Sequence, residues 1–347
     1  MKTTLVRAAA ALLAAAVSLP AATPALADGG DVTWTVRTAS NSFGTDRSSY
    51  NYSANPGGTI RDGLVVANRG KTKLTLGVYT ADGYTTGTGR LDLRGQADRQ
   101  TGIGAWVRGG AATIAVLPGK TVEVPFVVTV PANATPGDYV GGIVTTLTQP
   151  DDAAGINVER RLGIRIKLRV SGELKPALSV ENLSVDYHGT ANPFGSGHAT
   201  VSYTIHNTGN ATLSATQGVS IEGPFGWLHA DAAKVAAPPE LLPGESWRVT
   251  VPVKSVRPAF DLAVTATLTP LLTDASGSTT SLKPVTTTMH AFAVPWLLLV
   301  LFLVVIAVIV AVVAISRRGR SRRKDREDAR VKEAVEQALR EKEAQAS

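Results

Sequence analysis

The sequence predicts an all-β protein: two tandem β-sandwich domains, followed by one transmembrane helix and a short helical cytoplasmic tail. Three observations predict this. Apolar and polar side chains alternate with period two through most of residues 31–290, turn-forming residues break the alternation at short intervals, and residues 291–315 run for 25 residues without a charge. Alternation puts one set of side chains on each face of a strand. Short alternating stretches separated by Gly, Pro, Asn and Asp therefore read as antiparallel sheets packed face to face.

The N-terminus comes first. Residues 1–27 hold Lys2 and Arg7, an apolar run from Ala8 to Leu19, and Ala25-Leu26-Ala27. This is the pattern of a secretory signal peptide, with cleavage expected before Asp28. A membrane anchor is the other reading, and the run is short for one.

In the body, residues 121–130 read TVEVPFVVTV, with Val122, Val124, Phe126, Val128 and Val130 on one face. Leu74, Leu76 and Val78 alternate in the same way, as do Val201, Tyr203 and Ile205, and Trp247, Val249, Val251 and Val253. Asn55-Pro56-Gly57-Gly58, Asp82-Gly83 and Pro136-Gly137-Asp138 supply turns between such runs. Many short strands of this kind point to immunoglobulin-like sandwiches.

A weak repeat divides the body. Val66-Ala-Asn68-Arg-Gly70 followed by Val116-Leu-Pro-Gly-Lys120 resembles Ile205-His-Asn207-Thr-Gly209 followed by Leu241-Leu-Pro-Gly-Glu245. One topology used twice gives domains at 28–172 and 173–290, with the boundary near Ser171-Gly172-Glu173. The first copy carries an insertion, roughly Asp82 to Gly110.

Ala291 to Ile315 would reach about 37 Å as a helix, enough to cross a bilayer with some tilt. Trp296 lies near its outer end, and Arg317, Arg318, Arg320, Arg322, Arg323 and Lys324 follow it directly. Cations against one end of a span mark the cytoplasmic side, so the expected topology is single-pass type I in the cell membrane, with residues 316–347 inside. The cluster would also suit nucleic acid or anionic lipid, but its position makes a topology anchor the stronger reading. Val331, Ala334, Val335, Ala338 and Leu339 form a helical stripe in the tail, either a docking face or a solvated, weakly amphipathic helix.

Composition narrows the function. The chain has 347 residues, no cysteine and five histidines, so a disulfide scaffold, a thiolate metal site and a cysteine nucleophile are excluded. No cofactor or metal is expected. The tail holds 11 basic and 7 acidic residues, leaving residues 28–290 with 22 basic and 21 acidic, a near-neutral body unlike a nucleic-acid binder. Gly70-Lys71-Thr72 and Gly119-Lys120-Thr121 end like phosphate loops, but Val65 and Ile114 stand where the first glycine is required. No nucleophile elbow or metalloprotease motif is present, and no catalytic residue is expected.

Two groups of residues are candidates for binding. Leu162, Ile164, Ile166, Leu168 and Val170 alternate with Arg161, Gly163, Arg165, Lys167 and Arg169, so a strand here would expose a ridge of Arg161, Arg165, Lys167 and Arg169. Such a ridge suits a polyanion, whereas cations on an exposed strand also discourage edge-to-edge pairing. In the insertion, Tyr84 or Trp106 would stack on a sugar face while Asp82 or Arg99 bonds its hydroxyls. Alternatively, Trp106 caps a core and the rest is a solvated loop.

The order of these features resembles the WxL-interacting protein family of Gram-positive bacteria. The resemblance rests on Tyr52-x-x-x-Pro56-Gly57, Val66-x-Asn68, Asp82-Gly83, the Trp106 segment, Leu117-Pro118-Gly119, and Val130-Pro131 through Pro136-Gly137-Asp138-Tyr139-x-Gly141-Gly142-Ile143. The Arg161-Leu-Gly-Ile-Arg165 strand, the second sandwich, the span and the basic tail complete it. It covers about residues 31–170 and the overall layout. The alanine- and arginine-rich composition suggests a high-GC actinobacterial source. The resemblance implies a non-enzymatic surface protein whose first domain binds peptidoglycan or an associated anionic wall polymer. It also implies that the second domain contacts a secreted or surface protein. A protein–protein scaffold without glycan affinity is the alternative.

Overall fold

A computed structural model describes residues 33–151, 156–190, 192, 195–274, 278–294 and 296–345. The signal-peptide reading of residues 1–27 lies outside the described residues. The chain forms β1 (Trp34–Thr38), β2 (Tyr50–Ala54), β3 (Thr59–Asn68), β4 (Leu74–Thr85), β5 (Leu91–Leu93), α1 (Ile103–Trp106), β6 (Val107–Gly109), β7 (Thr113–Val116), β8 (Thr121–Thr129), β9 (Gly137–Asp151) and β10 (Ile156–Val170). There follow β11 (Leu178–His188), β12 (Gly197–Asn207), β13 (Leu213–Glu222), β14 (Ala230–Asp231), β15 (Ser246–Val256), β16 (Leu262–Thr273), β17 (Thr279–Ser281), β18 (Val285–Ala291) and α2 (Trp296–Gln345).

Four sheets make two sandwiches. In the first, β1-β3-β8-β6 faces β2-β10-β9-β4-β5, with β7 added to β4. This is the immunoglobulin arrangement, in which the first, second, fifth and fourth strands face the third, sixth and seventh. Its leading strand is split: β1 pairs antiparallel with β3, and β2 crosses to lie parallel with β10. In the second, β11-β12-β15 faces β14-β13-β16-β17, with β18 also on β16.

Each sandwich has its own core. The first is filled by Trp34, Tyr50, Leu64, Leu76, Phe126, Ile143, Ile166 and Leu168, and the second by Tyr203, Ile205, Leu213, Val253, Val264 and Leu268. Full burial of a large apolar side chain is worth about 1.5–3 kcal/mol, so these faces hold the sheets together. Trp34 stitches its core across the layers by donating Nε1–H to Thr145 Oγ1 at 2.9 Å. At the corner before β9, the Tyr139 hydroxyl donates back to the Thr135 carbonyl at 3.0 Å, the tyrosine corner of immunoglobulin sandwiches.

The sequence repeat has a structural counterpart. Asn68 and Asn207, both buried, each end the second strand of their sandwich. Asn68 Nδ2 donates to the carbonyls of Thr72 (2.7 Å) and Val116 (2.9 Å), and Asn207 Nδ2 donates to those of Ala211 and Leu241 (both 2.9 Å). Each Oδ1 accepts the N–H of the following Gly70 or Gly209. The Leu-Pro-Gly turns place Gly119 and Gly244 at φ 67° and 80°, which glycine adopts without steric cost at the third position of a type II turn.

The apolar run and the helix do not coincide. Ala291 ends β18, paired with Leu262, and Ala293 is buried in the second core, so α2 begins at Trp296. From Trp296 to Ile315 the helix is long and apolar enough to cross a membrane, and it continues without a break through the tail to Gln345.

Candidate functional site

β10 has the two faces expected of it. Ile164, Ile166, Leu168 and Val170 are in the core, and Arg161 and Arg165 are exposed on the other face. The four cations do not form one free ridge. Arg161 Nη1 donates to Tyr79 Oη at 3.4 Å, and that bond is the main reason its pKa is raised. Leu93 of the β4–β5 hairpin packs over Gly163, where a Cβ would meet its Cδ1 at 3.5 Å, and so divides Arg161 from Arg165.

The last two cations face the second sandwich. Arg169 makes a two-pronged bond to Asp138, Nε to Oδ1 at 2.6 Å and Nη2 to Oδ2 at 2.9 Å, which raises its pKa. Asp138 Oδ2 also accepts the N–H of Thr212, at 2.9 Å. Lys167 Nζ lies 3.4 Å from Glu240, a half-exposed pair worth about 0–1 kcal/mol.

Most of the remaining contacts between the sandwiches are polar, the exception being Gly89 of the insertion, which lies against Pro239 and Trp247. Asn210 donates from Nδ2 to the Pro136 carbonyl at 2.9 Å and accepts the Asp138 N–H on its own carbonyl at 2.8 Å. Gly137, at φ 143°, permits this approach, since a Cβ there would meet the Asn210 carbonyl oxygen at 2.5 Å. From the insertion, Thr85 donates its N–H (2.7 Å) and hydroxyl (2.6 Å) to Glu245. A cleft of about 310 Å³ lies between the sandwiches, bordered by Asn51, Ser53, Arg169, Lys167, Glu240 and Thr273. A smaller one of about 190 Å³ borders Arg165, Gly89 and Leu242.

The insertion residues are placed as follows. Asp82 is buried, and its carboxylate accepts the N–H groups of Thr101 (2.6 Å), Gly102 (3.1 Å) and Gly104 (2.7 Å), which positions α1. Trp106 is half-buried against the first core, its ring centroid 4.4 Å from that of Tyr139. Tyr84 is half-buried on β4 with the Arg94 guanidinium 5.8 Å from its ring centre, and Arg99 is exposed. No hydrogen bond or ring contact among the described residues joins Tyr84, Trp106 and Arg99.

Sequence reasoning missed Asp138, Asn210, Glu240 and Glu245 as the residues that seat one sandwich on the other. Asp138 was visible only as part of a turn, because its partners lie 31 and 74 positions away.

Comparison with protein families finds no match, and neither does comparison with curated protein sequences. Among solved structures, the chain is similar to the class 5 fimbriae chaperone CfaA, at 10% identity over 73% of this chain and 98% of that one, with a TM-score of 0.37. It is also similar to the CsuC–CsuE chaperone–tip adhesion subunit complex of Acinetobacter baumannii, at 12% identity over 74% and 97%, TM-score 0.34. A PapD-like domain of human CEP192 matches at 14% identity over 41% and 87%, TM-score 0.27.

Proposed function

We propose that this chain is a non-enzymatic, membrane-anchored cell-surface protein that binds peptidoglycan or an associated anionic wall polymer through its first sandwich. The second sandwich is then the stalk that holds the first away from the membrane, and the basic end of α2 lies in the cytoplasm. The observation that carries the reading is the outer face of β10. Arg161 and Arg165 are exposed there, about 14 Å apart along the strand. Guanidinium groups at that interval suit phosphates or stem-peptide carboxylates repeated along a polymer, each of which an arginine binds two-pronged. Lys167 and Arg169 are engaged elsewhere, Lys167 with Glu240 of the second sandwich and Arg169 with Asp138 of its own.

One observation favours a protein partner instead. Over Ile156–Arg165 no strand among the described residues pairs with the other edge of β10, because β2 covers only Ile166–Val170. An extended segment of another protein could add there by backbone hydrogen bonds.

Co-sedimentation of the detergent-solubilised full chain with purified sacculi tests the proposal. The wild-type chain should sediment, less so as salt rises, because exposed charge contacts are screened. The Arg161→Gln/Arg165→Gln variant should stay in the supernatant and Lys167→Gln should behave as wild type. Unchanged sedimentation of the double variant would move the contact to Tyr84 and Trp106. A wild-type chain that never sediments would overturn wall binding and leave the strand-edge reading.

A further inference from the structure

Outside α2, the described residues include seven exposed large apolar side chains, and five of them sit at one end of the second sandwich: Phe225, Trp227, Leu228, Phe260 and Phe292. Strand register brings them together. Glu222 pairs with Ala263 and Ala263 with His290, while Leu262 pairs with Ala291. The loops 223–229, 257–261 and 292–294 therefore leave the same end of the sheet. The opposite end, with Thr212 and Thr273, faces the first sandwich.

This end is tethered closely to the start of α2. Ala293 is buried, donates its N–H to the Ala259 carbonyl at 3.1 Å, and precedes Trp296 by three residues. Three residues extend at most about 11 Å. The apolar part of α2 from Trp296 to Ile315 is about 30 Å long, the thickness of a hydrocarbon core, which puts Trp296 at the membrane boundary. The end of the sandwich is thus held within reach of the headgroup layer, which extends about 5–8 Å beyond that core.

The loop itself is built to present its rings. Gly223 N–H donates to the Trp227 carbonyl at 2.7 Å, and the rings of Phe225 and Trp227 meet edge-on at 6.1 Å. Phe225 and Leu228 have φ of 61° and 60°, a left-handed conformation that is strained for a non-glycine residue. Phe225 is 92% exposed, Trp227 71% and Phe292 80%. An ordered loop that spends strain to hold apolar rings in water indicates a surface that meets them. Aromatic side chains are enriched where a protein meets the headgroups, and Arg257, exposed in the same loop as Phe260, adds a cation for lipid phosphate.

We infer that the second sandwich rests on the outer lipid headgroup layer through Phe225, Trp227, Leu228, Phe260 and Phe292, so that the span and this patch together fix the tilt of the body over the membrane. The inference rests on α2 crossing the membrane and is independent of wall binding. The test reconstitutes the full chain in phosphatidylcholine–phosphatidylglycerol vesicles containing lipid brominated near the top of the acyl chain. The Trp227 emission is isolated as the difference between the wild-type chain and Trp227→Phe. It should be blue-shifted and strongly quenched, and Phe225→Ser/Phe260→Ser should return it towards the unquenched, water-exposed spectrum. Co-floating chain whose Trp227 component emits as in water would overturn the docking and leave the span. A component that is blue-shifted but unquenched, in chain that crosslinks to a second copy, would overturn it in favour of self-association. Chain that fails to float with the vesicles would overturn both.

Discussion

Asn68 and Asn207 each spend three hydrogen bonds on joining the end of one strand to a loop and to the Leu-Pro-Gly turn of their sandwich. Alanine at either position leaves two carbonyls and one N–H without that partner in a buried site. Each orphaned group costs about 1–3 kcal/mol, so Asn68→Ala or Asn207→Ala should destabilise the chain by several kcal/mol, read from thermal unfolding. Asp62 is the comparable charged residue. Its buried carboxylate accepts bonds from Arg47 (2.7 and 3.0 Å), Tyr52 (2.6 Å), Asn41 (2.7 Å) and the Gly63 N–H (2.7 Å). Burial by itself would raise its pKa, but the bonds from Arg47, Tyr52, Gly63 and Asn41 outweigh it and hold the carboxyl below its ordinary value. A depressed folded pKa stabilises the native state above the unfolded value near 3.9, and that stability is lost as pH falls through the folded value. The wild-type chain should therefore lose stability steeply below about pH 4, and Asp62→Asn should flatten that acid limb while lowering stability at neutral pH by about 3 kcal/mol, since it breaks a buried ion pair.

At the scale of elements, the β4–β5 hairpin does more than fill a long connection. Its Leu93 covers Gly163 on β10, and its Thr85 end bonds Glu245 in the turn before β15. Because the contacts between the sandwiches are mostly hydrogen bonds, with Gly89 against Pro239 and Trp247 the apolar exception, their relative orientation depends on few residues. Glu245→Ala should leave both cores intact by circular dichroism. It should broaden the distance distribution of the body in small-angle scattering, with a larger maximum dimension. An unchanged profile would show that Asp138, Asn210 and Arg169 suffice. β10 itself was legible from its alternation, but the use of its cations was not. Period two shows that Arg161, Arg165, Lys167 and Arg169 share a face, and it says nothing of Asp138, Glu240 or Tyr79, which arrive from elsewhere in the chain.

At the scale of the molecule, the sandwiches and α2 follow one another end to end. β16 runs from the α2 end at Leu262 to the first sandwich at Thr273, about 37 Å at strand rise. The first sandwich thus stands roughly one sandwich length from the start of α2. This spacing gives meaning to both proposals: a stalk that docks on lipid at its base would hold the arginines of β10 at a set height, where a wall polymer would meet them.

Sequence alone determined the alternation that makes strands, the immunoglobulin-like pattern, the repeat carried by Asn68 and Asn207, and the apolar run within which the helix begins. These depend on side-chain period and on turn chemistry, which act over a few residues and leave a local record. Tertiary structure decided that Asp82 anchors a backbone loop, that Trp106 packs on Tyr139, that Lys167 meets Glu240 of the second sandwich while Arg169 holds the Asp138 that bonds Thr212, and that Phe225, Trp227, Phe260 and Phe292 gather at one end. Each of these brings together residues distant in the chain, and that placement is set by the register and pairing of whole sheets.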